Sequence, residues 1–143
     1  MKASEITNIG VIHGKWGEMV ARNYLVNHGY KIIECNSRPV PKDARLEIDI
    51  IARDCRENTL VFVEVKQHAC HSEWERRTRS VTGHKRRLLK RTCNMWRIMN
   101  SYRGNYRFDI IEVFGTPKTG IINIDHIDHV NIFVDSEHFV MWN

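Results

Sequence analysis

The sequence predicts an α/β domain built on a mixed β-sheet flanked by helices. Three observations carry that prediction. Two stretches, 14–28 and 81–101, place apolar residues at helical spacing; several short runs rich in Ile and Val lie between and after them; and the order they give is α-β-β-β-α-β-β, which suits one sheet covered by helices. The length, 143 residues, fits a single domain spanning the whole chain, with no internal repeat, low-complexity tract or linker.

Each element has a local reason. Residues 1–12 have no helical or strand pattern strong enough to place them, and a loose N-terminal arm is expected there. In 14–28, Trp16, Met19, Val20 and Tyr24 recur at helical spacing, and Gly29 can supply the left-handed residue that stops a helix. Tyr30–Asn36 reads as a strand, followed by a loop carrying Pro39 and Pro41. Leu46–Ala52 and Leu60–Lys66 read as two strands joined by the polar turn region 54–59. Residues 67–80 are polar and irregular, which predicts a mobile loop. In 81–101 the apolar set is Val81, Leu88, Leu89, Thr92, Met95, Trp96 and Met99, and the other face is basic. Arg107–Phe114 and Ile121–Asp125 are the last two strands. The C-terminal segment has no clear pattern.

Composition narrows the function classes. Apolar residues make up 42% and charged residues 27%, so the chain can bury a core without staples. The net charge of +5 is local. Arg76, Arg77, Arg79, Lys85, Arg86, Arg87, Lys90 and Arg91 occur with no Asp or Glu among them; subtracting these eight charges from +5 leaves −3. A concentrated basic segment is the footprint expected of a protein that meets phosphates. Cys35, Cys55, Cys70 and Cys93 are scattered with no C-x-x-C pair, which argues against a zinc ribbon. The start of the chain has no apolar signal core and no apolar run approaches membrane length. The expectation is a cytoplasmic protein with reduced thiols and no membrane partner.

The chemistry sits on the central hairpin. With a period of two, Glu47, Asp49 and Ile51 share one face of the first strand, and Phe62, Glu64 and Lys66 share one face of the second. Folding the hairpin about the Arg56–Glu57 bond sets Asp49 opposite Glu64. Two carboxylates so placed have Cβ atoms about 5 Å apart and repel. A divalent cation reverses that penalty, since Mg²⁺ takes one or two protein carboxylates and completes its shell with water and substrate phosphate. Lys66, on the same face, can orient an attacking water or offset charge developing on phosphate. This is the equipment of metal-assisted phosphodiester hydrolysis. An E-x-K triplet alone is commonly a surface ion pair; the opposed Asp49 and the basic segment give it weight.

The motifs G-K-W-G-E (14–18), A-x-x-Y-L (21–25), N-x-R (36–38), E-I-D-I-I-A (47–52), V-F-V-E-V-K (61–66), Val81 with Lys85, and R-F-D-I-I-x-V (107–113) closely resemble the YraN-like family of uncharacterised bacterial proteins. The resemblance runs from about Gly14 to Ile127. That family looks like the PD-(D/E)XK nuclease superfamily, near the archaeal Holliday junction resolvases. The resemblance implies a restriction-endonuclease-like fold with Asp49, Glu64 and Lys66 as the nuclease core. It further implies Glu18 as an accessory metal ligand and Lys85 as a substrate contact. The chain departs from the family pattern at Leu46, usually Gly, and at Gln67-His68, where a small residue and Arg are commoner.

Other residues admit two readings each. Asp109 can join the acidic cluster or pair with Arg107. The H-A-C-H run (68–71) is too crowded for a closed tetrahedral zinc site, and D-H-I-D-H (125–129) alternates with Ile residues as a polar-faced edge and turn would. Trp74 suits stacking on bases or anchoring its loop, whereas Trp16 and Trp96 fall on apolar helical stripes and are expected in the core. The expectation is a Mg²⁺- or Mn²⁺-dependent DNA endonuclease acting on branched or single-stranded DNA. Asp49, Glu64 and Glu18 are the metal ligands, and Lys85, Arg76, Arg77, Arg79, Arg86 and Lys90 hold nucleic acid. The alternative is a non-catalytic nucleic-acid-binding or scaffold protein on the same fold; a homodimer is compatible with either.

Overall fold

The structure, a computed structural model, describes residues 3–43, 46–70 and 83–133, with side chains described from Lys15 onward. Seven elements follow the predicted order. Helix α1 spans Ala3–Asn27, strands β1 to β3 span Tyr30–Ser37, Ile48–Asp54 and Thr59–His68, helix α2 spans Gly83–Met99, and strands β4 and β5 span Tyr106–Thr116 and Gly120–Ile127. The five strands form one sheet in sequential order. All neighbours are antiparallel except β3 and β4, which run parallel because α2 carries the chain back between them.

Two apolar layers sandwich the sheet. On one face, Val20, Ala21 and Leu25 of α1 pack on Ile50, Ala52, Val61, Val63, Ile111 and Val113. On the other, Leu89, Cys93 and Trp96 of α2 pack on Ile51, Leu60, Phe62, Phe108 and Ile110. The residues of β3 alternate between the two clusters, as the strand period requires. Gly29 has φ 86°, so the expected left-handed stop follows α1.

Several boundaries differ from the expectation. The loose arm is not found: α1 already begins at Ala3. Strand β3 runs on to His68, so the irregular stretch starts later than 67, and residues 71–82 lie outside the described region. The stripe on α2 is also shifted. Met99 is exposed, and Cys93 takes a fully buried place instead. Trp96 is core as expected, and Trp16 packs partly buried on the α1 layer. From the unplaced C-terminal segment, Val130, Ile132 and Phe133 close the α2 side of the core. All four cysteines are free thiols. Among the described residues, no helix is long and apolar enough to cross a membrane.

Candidate functional site

The β2–β3 ladder runs from Asp54↔Thr59 to Ile50↔Val63, the register expected from a fold about the Arg56–Glu57 bond. One step further in that register, Asp49 comes opposite Glu64. Alternation from Phe62 turns Glu64 and Lys66 toward α2, where Lys85 meets Glu64; alternation from Ile51 would turn Asp49 the same way, although Ile48 packs on that side too, so strict alternation in β2 ends at this point. The Val65 amide donates to Asp49 Oδ2 at 2.8 Å. A side-chain carboxylate thus takes a strand N–H where the ladder ends, which fixes its position at the site.

Glu18 reaches the same region from α1. Beside it, Gly17 packs close to the Gln67 side chain of β3: a Cβ there would come 2.5 Å from Gln67 Oε1 and 3.3 Å from the Gln67 Cβ. Asn36, at φ 51°, donates through Nδ2 to both Glu18 carboxylate oxygens (3.2 and 3.1 Å) and to Glu47 Oε1 (3.1 Å). Arg38 Nε donates to the other Glu47 oxygen at 3.2 Å. Asn36 and Arg38 therefore tie two acids from different elements to the end of β1. Asn is among the few non-glycine residues that accept this left-handed backbone readily.

The electrostatics follow from that crowding. Burial pushes the Asp49 carboxyl up to about 7; the Val65 hydrogen bond opposes the rise, and the nearby Glu18, Glu64 and Glu47 carboxylates add to it. Glu64 Oε1 is held by the Lys85 ammonium at 2.6 Å, while Glu64 Oε2 is buried with no hydrogen-bond partner among the described residues. Lys66 is half-buried on the same strand face and lies in register with Glu112 of β4. Glu112 and His68 are both buried, with His68 Nε2 3.6 Å from Glu112 Oε1. His68 stands where the resembled family commonly has Arg, and it is directed into the protein toward an acid. Among the described residues, no three His, Cys, Asp or Glu side chains gather closely enough to hold a metal ion as they stand.

Sequence reasoning placed Asp49, Glu64 and Lys66 on one face; it gave Lys85 as a substrate contact and did not foresee its bond to Glu64. It missed Asn36, Arg38, Glu47 and the His68–Glu112 pair. The N-x-R and E-I-D motifs carried a signal for the first three, but nothing in the sequence says which acids Asn36 would bridge. Arg86 and Lys90 lie on α2, whereas Arg76, Arg77, Arg79 and Trp74 lie outside the described residues. Asp109 does not join the acidic cluster. It is buried on the α1 face, where it accepts from Arg107 at 3.0 Å and contacts His126 Nε2 at 2.7 Å. His126, expected on a polar edge, instead links Asp109 to the Tyr24 hydroxyl at 3.1 Å. Arg107 also donates to Asp54 (3.1 Å) and to the Tyr30 hydroxyl (2.7 Å). Burial alone would raise Asp54, but the hydrogen bonds and charge of Arg107 bring it below the ordinary carboxyl value. This network braces the opposite face of the sheet.

Comparison with known proteins gives a consistent result. Residues 17–113 match the family described as Uncharacterised protein family UPF0102. A UPF0102 protein of Caldicellulosiruptor bescii is 33% identical over 117 residues, covering 80% of this chain and 92% of that one. One from Corynebacterium efficiens is 35% identical over 118 residues, covering 82% and 90%. One from Alkaliphilus oremlandii is 38% identical over 114 residues, covering 77% and 91%. None of these names states an activity.

Proposed function

Taking as premise that the chain belongs to the uncharacterised protein family UPF0102, we propose that it is a metal-dependent nuclease that hydrolyses DNA phosphodiesters. The observation that carries this reading is the register of the central hairpin. Continued one step, it would set Asp49 opposite Glu64 with Lys66 two residues on, and Lys85 of α2 bonds to Glu64.

The donor chemistry fits Mg²⁺ or Mn²⁺. Every candidate ligand is an oxygen, and one buried Glu64 oxygen has no hydrogen-bond partner among the described residues. With no three-ligand group present among them, the fit is of the kind in which one or two carboxylates suffice and water and phosphate complete the shell. Asp49 and Glu64 would hold the ion, with Glu18 as accessory. Bound there, the ion supplies Lewis-acid polarisation and a more acidic water. The chain's own residues do the rest. Lys66 presents its ammonium to the attacking water and to charge growing on the phosphate. Asn36 and Arg38 hold Glu18 and Glu47 by hydrogen bonds in the neighbourhood of Asp49 against their mutual repulsion. Arg86, Lys90 and the 76–79 arginines would hold backbone phosphates, which fix position without reading sequence.

The test is a cleavage screen over duplex, single-stranded, flap and four-way DNA, with Mg²⁺ and with chelator. Metal-dependent cleavage of one class is expected; no cleavage of any class overturns the reading. A non-catalytic nucleic-acid-binding role is favoured by one observation, the Lys85–Glu64 pair, which neutralises an acid of the site without a metal. In that case nucleic acid binds with the same affinity whether or not Mg²⁺ is present.

A further inference from the structure

Lys85 stands in the first turn of α2, and its ammonium lies 2.6 Å from Glu64 Oε1. The Lys85 side chain is 48% exposed and that of Glu64 only 16%. The cation therefore reaches in from solvent to an acid held by the sheet. At the same acid, Oε2 is buried and has no hydrogen-bond partner among the described residues. A flexible lysine on the neighbouring helix thus bonds to one oxygen of an acid whose other oxygen is unpartnered among the described residues. A lysine ammonium is a compact point charge on a flexible stem, able to swing between partners at little cost.

We propose that Lys85 is an exchangeable counter-cation of the site: it occupies Glu64 while no divalent ion is bound, and the incoming ion must displace it. The displaced ammonium can then turn to a substrate phosphate, so the residue that restrains metal uptake also takes part in substrate binding. This rests on the nuclease reading for the identity of the ion and substrate. The contact itself stands on the geometry alone. Lys85 has further interactions in the structure, and none needs to be absent for this exchange.

The test uses Mn²⁺ alone, titrated into the full chain by calorimetry, with Lys85→Gln compared to Arg87→Gln. Arg87 is exposed on the same helix and carries the same charge, so it controls for general electrostatics. An ion pair this exposed contributes modestly, so Lys85→Gln should tighten Mn²⁺ binding about two- to fivefold beyond Arg87→Gln. A second arm needs no metal. In chelator, Lys85→Gln should lower the thermal midpoint more than Arg87→Gln, because Glu64 loses its counter-cation. Equal Mn²⁺ affinities in the two variants overturn the exchange. A lowered midpoint with no Mn²⁺ uptake by wild type or either variant makes Lys85 a purely structural partner, and it overturns the nuclease reading as well. Tighter Mn²⁺ binding in Lys85→Gln with no cleavage of any DNA would sustain the exchange while removing the nuclease reading.

Discussion

Asp49→Asn should stabilise the metal-free protein, and the gain should depend on pH in a defined way. The folded carboxyl keeps its proton to about pH 7, whereas an unfolded aspartic acid releases it near 3.8. Between those values the folded state binds more protons, so stability from this group is fully present below pH 4. It falls as pH rises through the window and is gone above about 7. Three pH units at about 1.4 kcal/mol each give roughly 4 kcal/mol, and partial solvent access reduces this to about 2–4 kcal/mol. Asparagine keeps a carbonyl oxygen for the Val65 amide, so the hydrogen bond at the end of the ladder survives. The assay is denaturant unfolding of both proteins in chelator from pH 4 to 8.5. The two curves should coincide near pH 4 and separate by about 2–4 kcal/mol above pH 7, equivalent to a midpoint on the order of 10 °C higher. A difference that is flat with pH, or a variant less stable than wild type at pH 8, would refute the argument.

Three further outcomes follow from the same structure. In wild type, Mg²⁺ or Mn²⁺ at millimolar levels should raise the thermal midpoint by mass action, and Asp49→Asn should abolish that rise; scanning calorimetry decides it. Arg107→Met should cost about 3–5 kcal/mol by leaving buried Asp54 and Asp109 without their cation, seen as a lower urea midpoint with an unchanged m-value. Replacing Lys85, Arg86 and Lys90 together by Gln should lower the magnitude of the log affinity against log salt slope for DNA by about 2–3, at roughly 0.7–0.9 per phosphate contact. An unchanged slope would make the segment a solvated helix face.

Much of the fold was legible because the relevant signals are periodic. Alternating Ile and Val in 48–51 and 60–65 fixed both strands, and the turn between them fixed a register that the ladder bears out. Helix α1 was legible only from Gly14 onward, since ITNIG before it has β-branched residues and a glycine that weaken the helical pattern without preventing a helix. At the other end of the chain, Val130–Phe133 closes the core without regular structure, so no period betrays it. The site divides the same way. Asp49, Glu64 and Lys66 share a face by strand parity alone. Asn36 bridging Glu18 to Glu47 depends on how α1 crosses the sheet, and the partnership of His68 with Glu112 depends on the parallel register of β3 and β4. Those are tertiary facts with no local signature. The D-H-I-D-H run shows the converse: His126 looks like a surface ligand in sequence but is drawn inward by Asp109 and Tyr24.

The most direct measurement is a single-turnover cleavage rate with Mg²⁺ on the best DNA substrate, for wild type, Asp49→Asn, Glu64→Gln and Lys66→Ala. DNA binding should be measured alongside. The predicted result is cleavage lost by at least about a hundredfold in each variant, the scale of a removed catalytic group, with binding retained. Cleavage by any of the three at the wild-type rate would contradict the assignment of the site.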